Sequence, residues 1–261
     1  MLLISQQAFC DAHRTVRWEG RYVPDSEHFA RYLHEVVRTR MQEDDESLDT
    51  AIRGLATTGM DPTFIEDFLG AVHTPKGWEI GEVLAECLLR NGKDGQAVWP
   101  WNTDSDRRTP RASLPGADLV GFLKTPDGVR LLIGEVKTSS ERVSPPSVML
   151  GKKGMPWQLE ASAASLAIQR TLIKWLHVRC PSGEVRILYQ EALKHYFSTR
   201  GRGIVLAGVL VRDTSPSEKD LAGRARALSS SLEPPMKAIL TAWYLPTPID
   251  EWPAVIADGG S

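Results

Sequence analysis

The chain is poor in the features that would place it in several large classes. Its 261 residues contain three cysteines, Cys10, Cys87 and Cys180, too few and too scattered for a disulfide framework or a paired zinc-ligand spacing. No apolar run reaches membrane-spanning length. Met1-Leu-Leu-Ile is followed so soon by Asp11, His13 and Arg14 that it does not read as a signal peptide. A soluble, reducing compartment is therefore expected, with the cytoplasm the simplest choice and no membrane partner. Nor is there a charge of one sign: Lys and Arg total 31 against 33 Asp and Glu, a net charge of −2. Such a balance lacks the strong basicity of many autonomous DNA binders, so any nucleic-acid footprint must be local.

Several catalytic signatures are missing as well. There is no Gly-x-Ser-x-Gly nucleophile elbow. Gly151-Lys-Lys-Gly154 lacks the spacing and the Lys-Ser/Thr of a phosphate-binding loop, so the chain shows no nucleotide-driven motor. His34-Glu35 begins like a zinc-protease motif, but Arg38 stands where its second histidine belongs.

What is present centres on Glu135-Val136-Lys137. It closes an apolar strand, Val129 to Val136, and follows Asp118 within Leu114-Pro-Gly-Ala-Asp-Leu-Val-Gly121. The turn Lys124-Thr-Pro-Asp-Gly128 joins the two apolar arms into a predicted hairpin, which brings both acids onto adjacent strands. Strand alternation turns Glu135 and Lys137 to one face and Val136 to the other. Two carboxylates on a rigid element suit a hard divalent cation such as Mg²⁺, with Mn²⁺ able to substitute. Asp118 and Glu135 would be its ligands, with the Val136 carbonyl a further oxygen. A cation held there addresses the weak nucleophile, the repelling phosphate and the charged leaving oxygen of a phosphodiester. Lys137 would orient the attacking water, hold it as hydroxide or neutralise the phosphate. An acid-x-Lys tripeptide alone is weak, and the bland alternative is a hairpin with a surface Glu135–Lys137 salt bridge and a turn-capping Asp118.

Asp118, Glu135 and Lys137 together resemble the signature of the PD-(D/E)xK, or restriction-endonuclease-like, nucleases. That resemblance implies a metal-dependent nuclease acting on nucleic acid, DNA more than RNA. It also implies an α/β/α sandwich with a mixed central sheet, and a further Glu on the preceding helix. The stretch from Trp78 to Gly92 has helical periodicity and an Asn91-Gly92 stop. Within it Glu82 is the preferred acid and a fourth candidate for the metal set, with Glu86 in reserve. Some branches of the family place a Gln at the start of the next helix to position substrate or water. Gln158 occupies that place, but Ser162 stands where those branches have a Tyr. The wider layout over residues 75 to 250 is similar to small nuclease subunits of prokaryotic anti-phage defence, notably that of the Hachiman system, which works with a helicase. A helicase or other ATPase partner is implied on that ground. The rival from another class is a non-catalytic module that uses the same fold for nucleic-acid binding or subunit docking.

The remaining segments fill in the architecture. Residues 1 to 75 read as a helical and mixed N-terminal extension, and 76 to 261 as the nuclease-like domain. After the hairpin come one long helix from Leu159 to His177 and another from Val185 to Phe197. A buried strand from Gly203 to Val211, a polar helix over 217 to 230 and a last strand from Ala238 to Leu245 complete an α/β sandwich. Candidate phosphate contacts lie in loops: Arg107, Arg108 and Arg111, then Lys152 and Lys153, and more weakly Arg200-Gly-Arg-Gly203. Trp99 and Trp101 could stack on bases, although packing over the core is the favoured reading.

Overall fold

The computed structural model describes residues 1–42, 45–55, 60–71, 74–101 and 116–258. The N-terminal segment forms a hairpin of β1 (Gln6–His13) and β2 (Val16–Tyr22). Asp25 then caps α1 (Ser26–Tyr32), its carboxylate accepting the N–H groups of Glu27 and His28. A short π-helical turn leads into α2 (Arg38–Gln42), and α3 (Asp45–Leu55) and α4 (Pro62–Gly70) follow. Next come α5 (Gly77–Leu89), β3 (Gln96–Val98), β4 (Leu119–Thr125) and β5 (Gly128–Ser139). The order closes with α6 (Met155–Ala164), α7 (Leu166–Arg179), α8 (Gly183–Ser198), β6 (Ile204–Arg212), α9 (Ala222–Ser231), β7 (Lys237–Tyr244) and α10 (Trp252–Asp258).

The strands make one seven-stranded mixed sheet in the order β1-β2-β7-β6-β5-β4-β3. The β1–β2, β3–β4 and β4–β5 pairs are antiparallel, while β2, β7, β6 and β5 run parallel to one another. Parallel strands must be buried on both faces. Accordingly, every residue of β6 from Ile204 to Arg212 is buried. Alternation divides the core in two. Val129, Leu131 and Ile133 of β5 pack with Met155, Leu159, Leu172, Leu188 and Leu228 from α6 to α9. Leu132 and Val136 pack on the other face with Phe29, Ile80, Leu84 and Trp252 from α1, α5 and α10. The chain is thus an α/β sandwich, and among the described residues no helix is long and apolar enough to cross a membrane.

Three features depart from expectation. The sheet draws on both sides of residue 75: β1 and β2 extend it beyond β7, and the helical stretch after them packs into its core. The helix expected from Leu159 to His177 is two helices broken at Ser165, whose hydroxyl caps the second by accepting the Ile168 N–H at 3.3 Å. The polar helix expected from 217 begins at Ala222, after a 3₁₀ turn over Glu218–Asp220.

Candidate active site

Glu135 sits where the antiparallel hairpin meets the parallel part of the sheet. Its register partner on β6 is Gly208, and Leu119 of β4 lies opposite the preceding Gly134. Both glycines allow close approach. A Cβ at 134 would come 2.7 Å from the Ala207 carbonyl oxygen, and one at 208 would come 2.6 Å from Met155 Sδ. With no side chain at 208, α6 settles directly over the β5–β6 pair, on the face that carries Glu135.

Alternation brings Asp118, Glu135 and Lys137 to that same face. Asp118 immediately precedes β4 and is in phase with Val120 and Phe122 of the α6-to-α9 core. Its N–H donates to the Gly134 carbonyl at 3.1 Å, and its carboxylate accepts the Val136 N–H at 2.9 Å. The Lys137 ammonium donates to Glu135 Oε1 at 2.5 Å. Glu135 is only 4% exposed, which separates this contact from an ordinary surface salt bridge.

Burial is the main influence on the Glu135 carboxyl. Loss of water and the neighbouring Asp118 charge push its pKa up to about 8, against the opposing pull of Lys137. Two carboxyl groups held this closely either share a proton or require a cation between them. Gln158 lies in the first turn of α6, its N–H bonded to the Gly154 carbonyl at 3.1 Å. It falls between Met155 and Leu159, the residues that pack against Gly208. Its Oε1 is buried with no hydrogen-bond partner among the described residues, and such an atom costs free energy unless something donates to it.

The other candidates fall elsewhere. Glu82 is half-buried on α5, which packs against the opposite face of β5, where Gly81 approaches Thr138. The structure does not bring it into the cluster of Asp118, Glu135 and Lys137. Among the described residues no set of three or more His, Cys, Asp or Glu side chains is gathered to hold a metal ion. Glu86, fully buried, pairs instead with Arg40 Nε at 2.9 Å, an arrangement that fixes α2 against α5. Lys152 and Lys153 are exposed in the turn that enters α6. Arg107, Arg108 and Arg111 lie outside the described residues. Arg200–Gly203 precedes β6, at the end of the sheet away from Lys137. Trp99 and Trp101 are 8% and 6% exposed, and their indole N–H groups donate to the carbonyls of Glu86 and Val120, so both belong to the core.

Two features escaped the sequence reading. Beyond Lys137, Ser140 lines a cleft of about 960 Å³ at the carboxyl ends of β2, β5, β6 and β7, beside Asp213, Thr214 and Tyr244. Asp213 Oδ1 and Thr214 Oγ1 are buried there without a hydrogen-bond partner among the described residues. Clefts at the carboxyl ends of parallel strands commonly hold ligands, and Asp213-Thr-Ser-Pro-Ser217 directly after the apolar β6 was the available signal. The second feature is Trp157, 47% exposed beside Gln158.

No protein-family model matches the chain and no curated protein matches it, which leaves the geometry around Asp118, Glu135 and Lys137 as the ground for a functional reading.

Proposed function

We propose that the chain is a metal-dependent nuclease that hydrolyses phosphodiester bonds of nucleic acid, DNA in the first instance. The observation that carries this reading is the buried Glu135 beside the half-buried Asp118, with Lys137 in contact, the Glu135 carboxyl being pushed up to about 8. A surface decoration would have no reason to bear that cost, whereas a cation site does.

The residues fit Mg²⁺ or Mn²⁺. Both acids offer hard oxygen donors, the Val136 carbonyl is adjacent, and Mg²⁺ is characteristically held by one or two carboxylates together with substrate phosphate oxygens. Gln158 Oε1, buried without a partner among the described residues on the helix that covers the same sheet face, would be an acceptor for a water there. When bound, the cation would supply Lewis-acid stabilisation of the charge that develops on the phosphate. The protein's own groups do the rest. Asp118, anchored by the Val136 N–H, holds one carboxylate in a fixed orientation. Glu135, as the carboxylate, would be the second ligand, its proton released to solvent. Lys137 leaves its contact with Glu135 to orient the attacking water or neutralise the phosphate, and Gln158 accepts a hydrogen bond from that water.

The layout resemblance supports a further reading, that the nuclease serves prokaryotic anti-phage defence with a helicase partner. The lack of any phosphate-binding loop in the chain agrees with a motor on another polypeptide. The decisive experiment is cleavage of labelled single- and double-stranded DNA and RNA with Mg²⁺ or Mn²⁺, beside EDTA and Glu135→Ala controls. Cutting that disappears in both controls is expected. Equal cutting by the variant would remove the site assignment. No cutting, even with a co-purifying helicase, would favour a binding or docking module.

A further inference from the structure

The first turn of α6 carries one side chain that the chemistry above does not use. Pro156 lies in that first turn and Gly154 caps it. Gly154 is held against the preceding loop so closely that a Cβ there would come 2.7 Å from the backbone of Met149 and Leu150. Met155 and Leu159 are buried beneath the helix, facing Gly208 across from Glu135. At 3.6 residues per turn, Trp157 must then face away from the sheet, and its indole is 47% exposed. Exposed apolar side chains recur along the loop that leads there: Val143 at 67% and Leu150 at 41%. The exposed cations Lys152 and Lys153 come between that loop and the helix. Of the described acids nearby in sequence, Glu160 is exposed one turn on, and the Glu141 carboxylate is occupied by the Ser147 N–H at 2.7 Å and the Ser147 hydroxyl.

We propose that Trp157, with Lys152 and Lys153, is a stacking platform for an unpaired base beside the scissile phosphate, which makes a single strand or a frayed duplex end the preferred substrate. This rests on the nuclease reading of the Asp118, Glu135 and Lys137 site. An exposed indole on a closely packed helix turn, with flanking ammonium groups, is the combination by which proteins hold single strands: the ring meets a base face and the cations meet the backbone. In an intact duplex the base faces are already stacked on one another and offer nothing to the ring. Gln158, the next residue, shares the first turn of α6 with Trp157, and that helix covers the sheet face that carries Glu135.

The test is binding of a short labelled oligothymidine and of a blunt duplex to the full chain in EDTA, where no cutting occurs, followed by fluorescence anisotropy. Tighter binding of the single strand by roughly tenfold or more is expected. Trp157→Ala should remove most of that preference, Trp157→Phe should keep most of it, and Lys152→Glu with Lys153→Glu should flatten the salt dependence on the single strand. Because Trp157 is exposed, the alanine variant should keep the wild-type melting temperature. Equal binding of both substrates, or a single-strand affinity untouched by Trp157→Ala, overturns the platform. So does a Trp157→Ala effect confined to self-association in the ultracentrifuge, which would assign the patch to protein docking. Cleavage with Mg²⁺ is scored separately: Trp157-dependent binding with no cutting, even beside a co-purifying helicase, would sustain the platform and defeat the nuclease, and cutting with Trp157-independent binding would do the reverse.

Discussion

The carboxylate of Asp118 accepts the backbone N–H of Val136, the residue between Glu135 and Lys137, at 2.9 Å. One acid thereby holds in place the strand that presents the other. Asp118→Asn keeps an oxygen that can accept this bond but removes the charge. It should therefore lower Mg²⁺-dependent cleavage by about a hundredfold or more while leaving the melting temperature close to wild type. Asp118→Ala should add a loss on the order of 1 kcal/mol, because the buried Val136 N–H loses its acceptor. Cleavage rates and thermal unfolding measured side by side separate the two effects, and an Asp118→Asn enzyme that cuts at the wild-type rate would remove Asp118 from the chemistry.

The Glu135 carboxyl gives a pH signature. Its folded-state pKa is raised from 4.5 to about 8 by burial and by Asp118, so the native state holds a proton that the unfolded chain has already released. That contribution is fully present below about pH 4.5 and is lost as pH rises through about 8. Glu135→Gln should accordingly stabilise the metal-free protein at pH 9, on the order of 2–4 kcal/mol, and change little near pH 4.5. Added Mg²⁺ should stabilise the wild type more as pH rises across the same window. Urea unfolding in EDTA at both pH values is the check, and a pH-independent difference between variant and wild type would contradict the burial account.

At position 208 the limiting factor is space. A side chain there would strike Met155 Sδ and Leu240 Cδ2, each 2.6 Å from an added Cβ. Gly208→Val should cost about 1–3 kcal/mol and depress cleavage by shifting α6 with Gln158. Gly223→Ala on α9, where nothing lies within 4 Å of the new Cβ, should instead gain up to about 1 kcal/mol and leave cleavage unchanged. Comparing the two in one unfolding and cleavage series distinguishes a steric effect at α6 from a general response to losing glycine.

Glu86 and Arg40 are 0% and 5% exposed at the side chain, so removing one takes from the other an oppositely charged partner in a buried setting. Arg40→Ala should destabilise by about 3–5 kcal/mol. The double replacement Arg40→Met with Glu86→Leu should recover much of that loss and should still cut. Loss of cutting in a stably folded double variant would return Glu86 to the catalytic set.

What could be read in advance follows physical visibility. The β4–β5 hairpin was legible because Pro126-Asp127-Gly128 punctuates two strongly apolar arms, and strand parity then determines which side chains share a face. That is why Asp118, Glu135 and Lys137 emerge together. β1 was not legible: its Gln-Gln-Ala-Phe-Cys-Asp-Ala-His stretch is almost wholly exposed, so burial imposes no alternation on it. The interruption at Ser165 hides within a run of apolar spacing that continues through it, and the three-residue β3 is too short to carry a pattern. Trp99 and Trp101 lie beside a polar, loop-like sequence yet are buried, because their N–H groups find carbonyl acceptors. Which tryptophan reaches solvent depends on how α6 crosses the sheet, and no local pattern encodes that.

The parallel pairing of β2 with β7 sets a constraint on how the protein is made. Val16 is in register with Ala238, and Tyr22 with Tyr244. On a ribosome the first hairpin emerges long before the strand it must join, and until then the edge of β2 has unsatisfied N–H and C=O groups. Pairings so distant in sequence are slow to form. The β4–β5 hairpin, in contrast, is local and can close mid-synthesis, while the parallel support for Glu135 arrives only with β6. Assembly of the last strand therefore coincides with completion of the sheet, and chaperone demand should peak in the interval between them.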